Sequence, residues 1–227
     1  MNLSKIQLEK IRVYLDEIGF KYIDVQMEIL DHIASAVEEK MTEDPNLAFQ
    51  DAVNQTRVSF GKAGFTKIEK SIVKGLNKKY WKLFLQHFSS FFGIKYIWAV
   101  FLSAFGIYQL QNLISNKDNF FAVFFLAFII FFAIQAYRGF KPLAYKRYMV
   151  YKISGTYAGY FGLFLMMVFQ AIVKPSSGLL FGLNKGYLIV SILTVLFAVY
   201  YIAALKTEKD GVLESKAIAD KLKLLYS

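Results

Sequence analysis

The stretch Tyr187-Leu-Ile-Val-Ser-Ile-Leu-Thr-Val-Leu-Phe-Ala-Val-Tyr-Tyr-Ile-Ala-Ala-Leu205 carries no Asp, Glu, Lys, Arg or Pro. At about 1.5 Å per residue it covers about 28 Å as a helix, close to the ~30 Å hydrocarbon core of a bilayer. A run of this kind predicts a membrane-spanning helix. Three more stretches share its character: Tyr96–Ile114, Phe120–Ala136 and Gly155–Val173. None contains a formal charge. The three prolines, Pro45, Pro142 and Pro175, all fall outside them.

The charges around these runs predict an orientation. Residues 83–227 hold 14 basic and 5 acidic side chains, against 13 and 12 in residues 1–82. The net charge of +10 therefore sits almost wholly beside the apolar runs. Lys74, Lys78, Lys79, Lys82 and Lys95 precede the first run. Arg138, Lys141, Lys146, Arg147 and Lys152 lie between the second and third. Lys206, Lys209, Lys216, Lys221 and Lys223 follow the fourth. The other two loops hold only Lys117, Lys174 and Lys185. Cytoplasmic loops carry the lysine and arginine excess, so the N-terminal region, the middle loop and the tail are expected on the cytoplasmic side of an inner (plasma) membrane.

The overall composition agrees, with 56% hydrophobic residues against about 45–50% in soluble domains. The chain has no cysteine, which excludes disulfides, thiolate metal ligation and a cysteine nucleophile. Its start, Met1-Asn2-Leu3-Ser4-Lys5, leads into a polar amphipathic segment with no apolar h-region, so no cleavable signal peptide is expected.

Residues 1–76 read as a small helical domain. Ser4 with Gln7 forms a capping box ahead of the stripe Ile11, Leu15 and Ile18, and Gly19 stops that helix. Ile23, Met27, Leu30, Ala34, Val37 and Met41 recur at spacings of four and three and predict a second helix. A third follows Pro45-Asn46, with Phe49, Val53 and Phe60 facing inward and Gly61 as its stop. Gly61-Lys62-Ala63-Gly64 reads as a turn, and Thr66 with Glu69 as the capping box of a fourth helix.

Residues 77–94 read as a juxtamembrane amphipathic helix. Tyr80, Trp81, Phe84 and Phe88 alternate with Lys78, Lys79 and Lys82, which suits rings in the headgroup layer and ammonium groups snorkelled to water. Lys78, Lys79, Tyr80, Trp81, Lys82, Arg138, Lys146 and Arg147 are the expected membrane-interface residues. Basic residues among aromatics also suit single-stranded nucleic acid, but a position directly before a span favours lipid, and no nucleic-acid partner is expected. The basic tail, 206–227, is expected on the anionic leaflet or against the N-terminal domain.

Glu28-Ile29-Leu30-Asp31-His32, followed by Ala48, Ala52 and Phe60-Gly61, resembles the HAAS-type helical module. That module precedes membrane helices in many bacterial proteins and is associated with PadR-type regulators. The likeness covers roughly residues 8–75 and departs from the family's Gly-x-Pro step at Gly61-Lys62-Ala63-Gly64. It implies a signalling or interaction role in a bacterial membrane protein.

No catalytic constellation is visible. Glu28 and His32 share a helix face, as do Asp31 and Ser35, but a catalytic metal usually takes three protein ligands. The only other histidine is His87. A solvated helix face is the simpler reading, with Glu28, Asp31 and His32 as the candidate partner contact. The amides and hydroxyls in the spans, Gln111 and Ser191 among them, suit inter-helix hydrogen bonds. Gly155-x-x-x-Gly159 matches a small-residue packing pattern and admits a homo-oligomer. The expected architecture is all-α: a cytoplasmic helical domain followed by a four-helix transmembrane bundle over 95–205. The expected function is non-enzymatic sensing or partner binding, with no cofactor and no metal. The alternative is a membrane subunit of a transport or channel assembly.

Overall fold

The computed structural model describes residues 3–114, 143–160 and 178–226, together with positions 123, 126–127, 130, 134, 137, 166–167 and 170. Among the described residues the fold is all-α apart from one hairpin of two-residue strands. Its helices are α1 (Lys5–Glu17), α2 (Ile23–Glu43), α3 (Phe49–Ser90), α4 (Ile94–Leu113), α5 (Met149–Gly159) and α6 (Lys185–Tyr226). A 3-10 turn spans Leu143–Tyr145, and β1 (Leu179–Leu180) pairs antiparallel with β2 (Leu183–Asn184). The chain divides into two compact units. The first is Met1–Lys79 with Tyr145–Ile153 and Glu214–Ser227. The second is Tyr80–Ala144 with Ser154–Leu213.

In the first unit, the predicted capping box opens α1. Ser4 Oγ accepts from the Gln7 amide at 3.3 Å, and Gln7 Oε1 accepts from the Ser4 amide at 2.8 Å. Gly19 ends the helix at φ +100°, a conformation that favours glycine. Ile11 and Leu15 are buried, whereas Ile18 is 43% exposed. The buried face of α2 is Val25, Ile29, Ile33 and Val37. The predicted stripe shares only Val37 with it, and Met27, Leu30, Ala34 and Met41 sit half-buried on its flank. Both rows lie within one wide apolar arc, and the period alone does not mark its centre.

The predicted third and fourth helices form one element. α3 runs unbroken from Phe49 to Ser90, through the stretch expected to be a turn. Each helical glycine costs about 1 kcal/mol relative to alanine, an amount that packing readily outweighs. Here Phe65 is buried, tilted against Phe60 at 5.3 Å and edge-on to Phe20 at 6.5 Å. Ala52 and Thr56, both 0% exposed, complete the inner face of α3.

In the second unit the chain turns by 70° at 91–93 and enters α4. Gln111, 2% exposed, fastens α4 to α6, because its Nε2 donates to Ser191 Oγ at 2.9 Å and to the Tyr187 carbonyl at 3.2 Å. The hairpin before α6 turns at Phe181 and Gly182, both at positive φ, as a two-residue type I′ turn requires.

Among the described residues, one helical stretch is long and apolar enough to cross a membrane. It is Lys185–Leu224, with a mean hydropathy of 2.5 over its apolar window. Gly64–Ser90 with Ile94–Leu113 meets the same test only as a bent pair. Most of the expected second span, Phe120–Ala136, and most of the third beyond Tyr160 lie outside the described residues, as do Arg138 and Lys117.

Candidate functional site

The most specific polar arrangement in the first unit joins the start of α2 to the start of α5. Asp24 stands in the first turn of α2. Its Oδ1 accepts from the Met149 amide at 2.8 Å, and its Oδ2 accepts from the Val150 amide at 2.8 Å. Oδ1 also accepts from the Val25 amide at 3.1 Å. The first amides of a helix have no partner within it, and the helix N-terminus attracts negative charge. One carboxylate thus caps a helix that begins 125 residues further along the chain.

Three more contacts frame this cap. The Ile23 amide donates to the Arg147 carbonyl at 2.8 Å. Lys152 Nζ donates to the Tyr22 hydroxyl at 2.7 Å and lies 5.0 Å from the centre of its ring. Arg147 approaches Asp16 at 3.7 Å. Beneath them Tyr148, Met149 and Val150 are buried. Burial pushes the Tyr148 phenol above its ordinary value, and the charge of Asp24 acts in the same direction. Gln26, 3% exposed, holds the corner from behind, donating to Asp16 at 3.1 Å and to the Phe20 carbonyl.

Sequence reading singled out neither Tyr22 nor Asp24, and it took Ile23 only as part of the apolar stripe of α2. An acid in the first turn of a helix is an ordinary feature, and nothing local announces a distant partner. Arg147 was expected at the membrane interface, yet its carbonyl and guanidinium both serve this dock. Lys146 beside it is exposed.

The expected partner-contact residues Glu28, Asp31 and His32 are exposed on α2, and no ion pair links them. Among the described residues no three acids or histidines converge as metal ligands.

The other expected interface residues divide. Lys78 and Lys82 are exposed, and Lys79 pairs with Glu214 at 2.6 Å within the first unit. Tyr80 is 0% exposed, in the interior rather than among headgroups. Phe84 is buried with it, stacked on Tyr157 at 4.9 Å and edge-on to Tyr200 at 5.2 Å. Trp81 is half exposed, tilted against Tyr157 at 6.1 Å. These rings fill a helix interface, because aromatic pairs gain more from one another than an isolated ring gains at a surface.

At the end of α3, His87 Nε2 lies 2.7 Å from Asp210 Oδ2, and Lys206 Nζ lies 4.9 Å from the Phe91 ring centre. From 87 to 91, at and just past the end of α3, the partners fall from 210 to 206 on α6, so the two run antiparallel here. Within the second unit, the tail after Leu205 continues α6 and packs on α3. Burial raises the carboxyl of Glu208, in the same turn, above the usual glutamate range.

Comparison with protein-family models gave no match. Comparison with curated proteins gave none, and comparison with solved structures gave none.

Proposed function

We propose that this is a non-enzymatic, multi-pass bacterial membrane protein with a partner-binding domain of helices α1, α2 and the start of α3 in the cytoplasm. Four spans, with both termini inside, follow from the lysine and arginine asymmetry. The likeness to a HAAS-type module favours a regulatory role. One observation carries the reading: Asp24 caps the helix that leads into the third proposed span, with both carboxylate oxygens engaged at 2.8 Å. A partner that shifts α2 acts on that cap, and through it on the start of the span. The residues around the cap hold and orient backbone, with no nucleophile and base paired among them.

The test is a spin label at a single cysteine replacing Gly155, in full-length protein in lipid nanodiscs. Asp24→Ala is expected to raise the label's mobility. Unchanged mobility would sink the coupling. Ion or solute flux through liposomes holding the protein alone would favour the transport alternative, whose support is the set of neutral amides in the spans.

A further inference from the structure

We infer that the groove between α1 and α3 binds an acidic amphipathic helix of a partner protein. The inference rests on the partner-binding role proposed for this domain and names the partner's chemistry. Two adjoining cavities, of about 110 and 500 Å³, open between the helices, and Tyr14 and Arg57 line both. The lining mixes apolar with polar side chains, and among the apolar ones Ile18 and Val58 stay 43% and 79% exposed. Among the described residues the lining contains two charged groups, Lys10 and Arg57, and no acid. From Phe49 to Thr66 the groove follows α3 for about 25 Å, the length of a helix of four to five turns.

Arg57 gives the groove its sign. Its guanidinium lies 5.4 Å from the centre of the Tyr14 ring and joins no ion pair among the described residues. Stacking occupies the face of a guanidinium and leaves its in-plane N–H fork for a carboxylate. A trough with exposed apolar side chains and a cationic rim matches a helix with apolar anchors at i, i+3, i+4 and i+7 and acids beside them. A second copy of this chain does not supply one from α2. Its exposed acids Glu28, Asp31 and Glu39 share their surface with His32 and Ser35, Glu43 stands at its last residue, and no large apolar side chain of α2 is exposed.

The test uses the full chain in nanodiscs and a labelled peptide of about 18 residues, with leucine at the four anchor positions and glutamate elsewhere. Its twin carries lysine for glutamate. Fluorescence anisotropy is expected to show binding of the acidic peptide only. Arg57→Glu with Lys10→Glu is expected to weaken it about tenfold or more, equivalent to one strong charge contact, and to admit the lysine twin. Exchange protection at the Met149 amide, read in the same samples, shows that the variant remains folded. Two results would overturn the groove: no binding of the acidic peptide, or equal binding of both peptides. Binding that persists while Asp24→Ala leaves the Gly155 label unmoved keeps the groove and removes the coupling.

Discussion

Replacing Asp24 by alanine removes the acceptor from two amides at the start of α5. Substituting a helix cap by alanine costs about 0.5–2 kcal/mol. The two bonds at 2.8 Å are charge-assisted, but the site is only half-buried and the freed amides regain water. About 1 kcal/mol for each bond and ~0.5 kcal/mol for the lost charge at the helix N-terminus gives about 2.5 kcal/mol. That is roughly a 70-fold rise in the opening equilibrium of the dock. The assay is hydrogen exchange at the Met149 and Val150 amides in the intact protein. Asp24→Asn is the sharper variant. Its amide oxygen serves one backbone N–H while its NH2 group faces the other, so it is expected to lose well over half of the protection. A change below about threefold in both variants, under ~0.7 kcal/mol, would refute the reasoning.

Thr56 is fully buried, and its hydroxyl has no hydrogen-bond partner among the described residues. Thr56→Val keeps the shape and removes that unmet demand, so a stabilisation of about 1 kcal/mol is expected in urea titration. Glu208 is held above the usual glutamate range by burial, so the fold prefers its protonated form. Its contribution is favourable below the unfolded value and is lost as pH rises through the folded one. Melting temperature is therefore expected to fall over that window, and Glu208→Gln to flatten the fall and raise the value at pH 7. Gln111→Leu removes the α4–α6 fastening at Ser191 and Tyr187, with an expected loss of about 1 kcal/mol in steric-trap unfolding.

The helical class, the α1 capping box and the stop at Gly19 were legible because each is written within a few neighbouring residues. The merger of two predicted helices into α3 was not. A glycine-rich step is a weak breaker, and the contacts that override it involve Phe20, some 40 residues away in sequence. The same limit hid the dock. Asp24 is one acid among 17, and its partners are backbone amides, which leave no trace in side-chain spacing. Tyr80 and Phe84 were misplaced for a related reason: an aromatic stripe suits a lipid interface and a helix interface equally, and only the presence of α5 and α6 decides. The middle loop was read as a basic cytoplasmic segment from Lys146, Arg147 and Lys152. The specific contacts that Arg147 and Lys152 make there, through a carbonyl and an ammonium, left no mark in that charge pattern.

The account depends on one proposed side of the membrane holding both Asp24 and the loop that it caps. The cysteine-free chain makes this directly measurable. Single cysteines at Asp44, Lys146 and Lys216, and at Lys117 and Lys185, are treated in intact cells with a membrane-impermeant maleimide. The account predicts that the first three stay unlabelled until the membrane is opened and that the last two react from outside. Labelling of position 146 from outside while position 44 stays protected would contradict it, because the cap at Met149 and Val150 would then lie across the bilayer from Asp24.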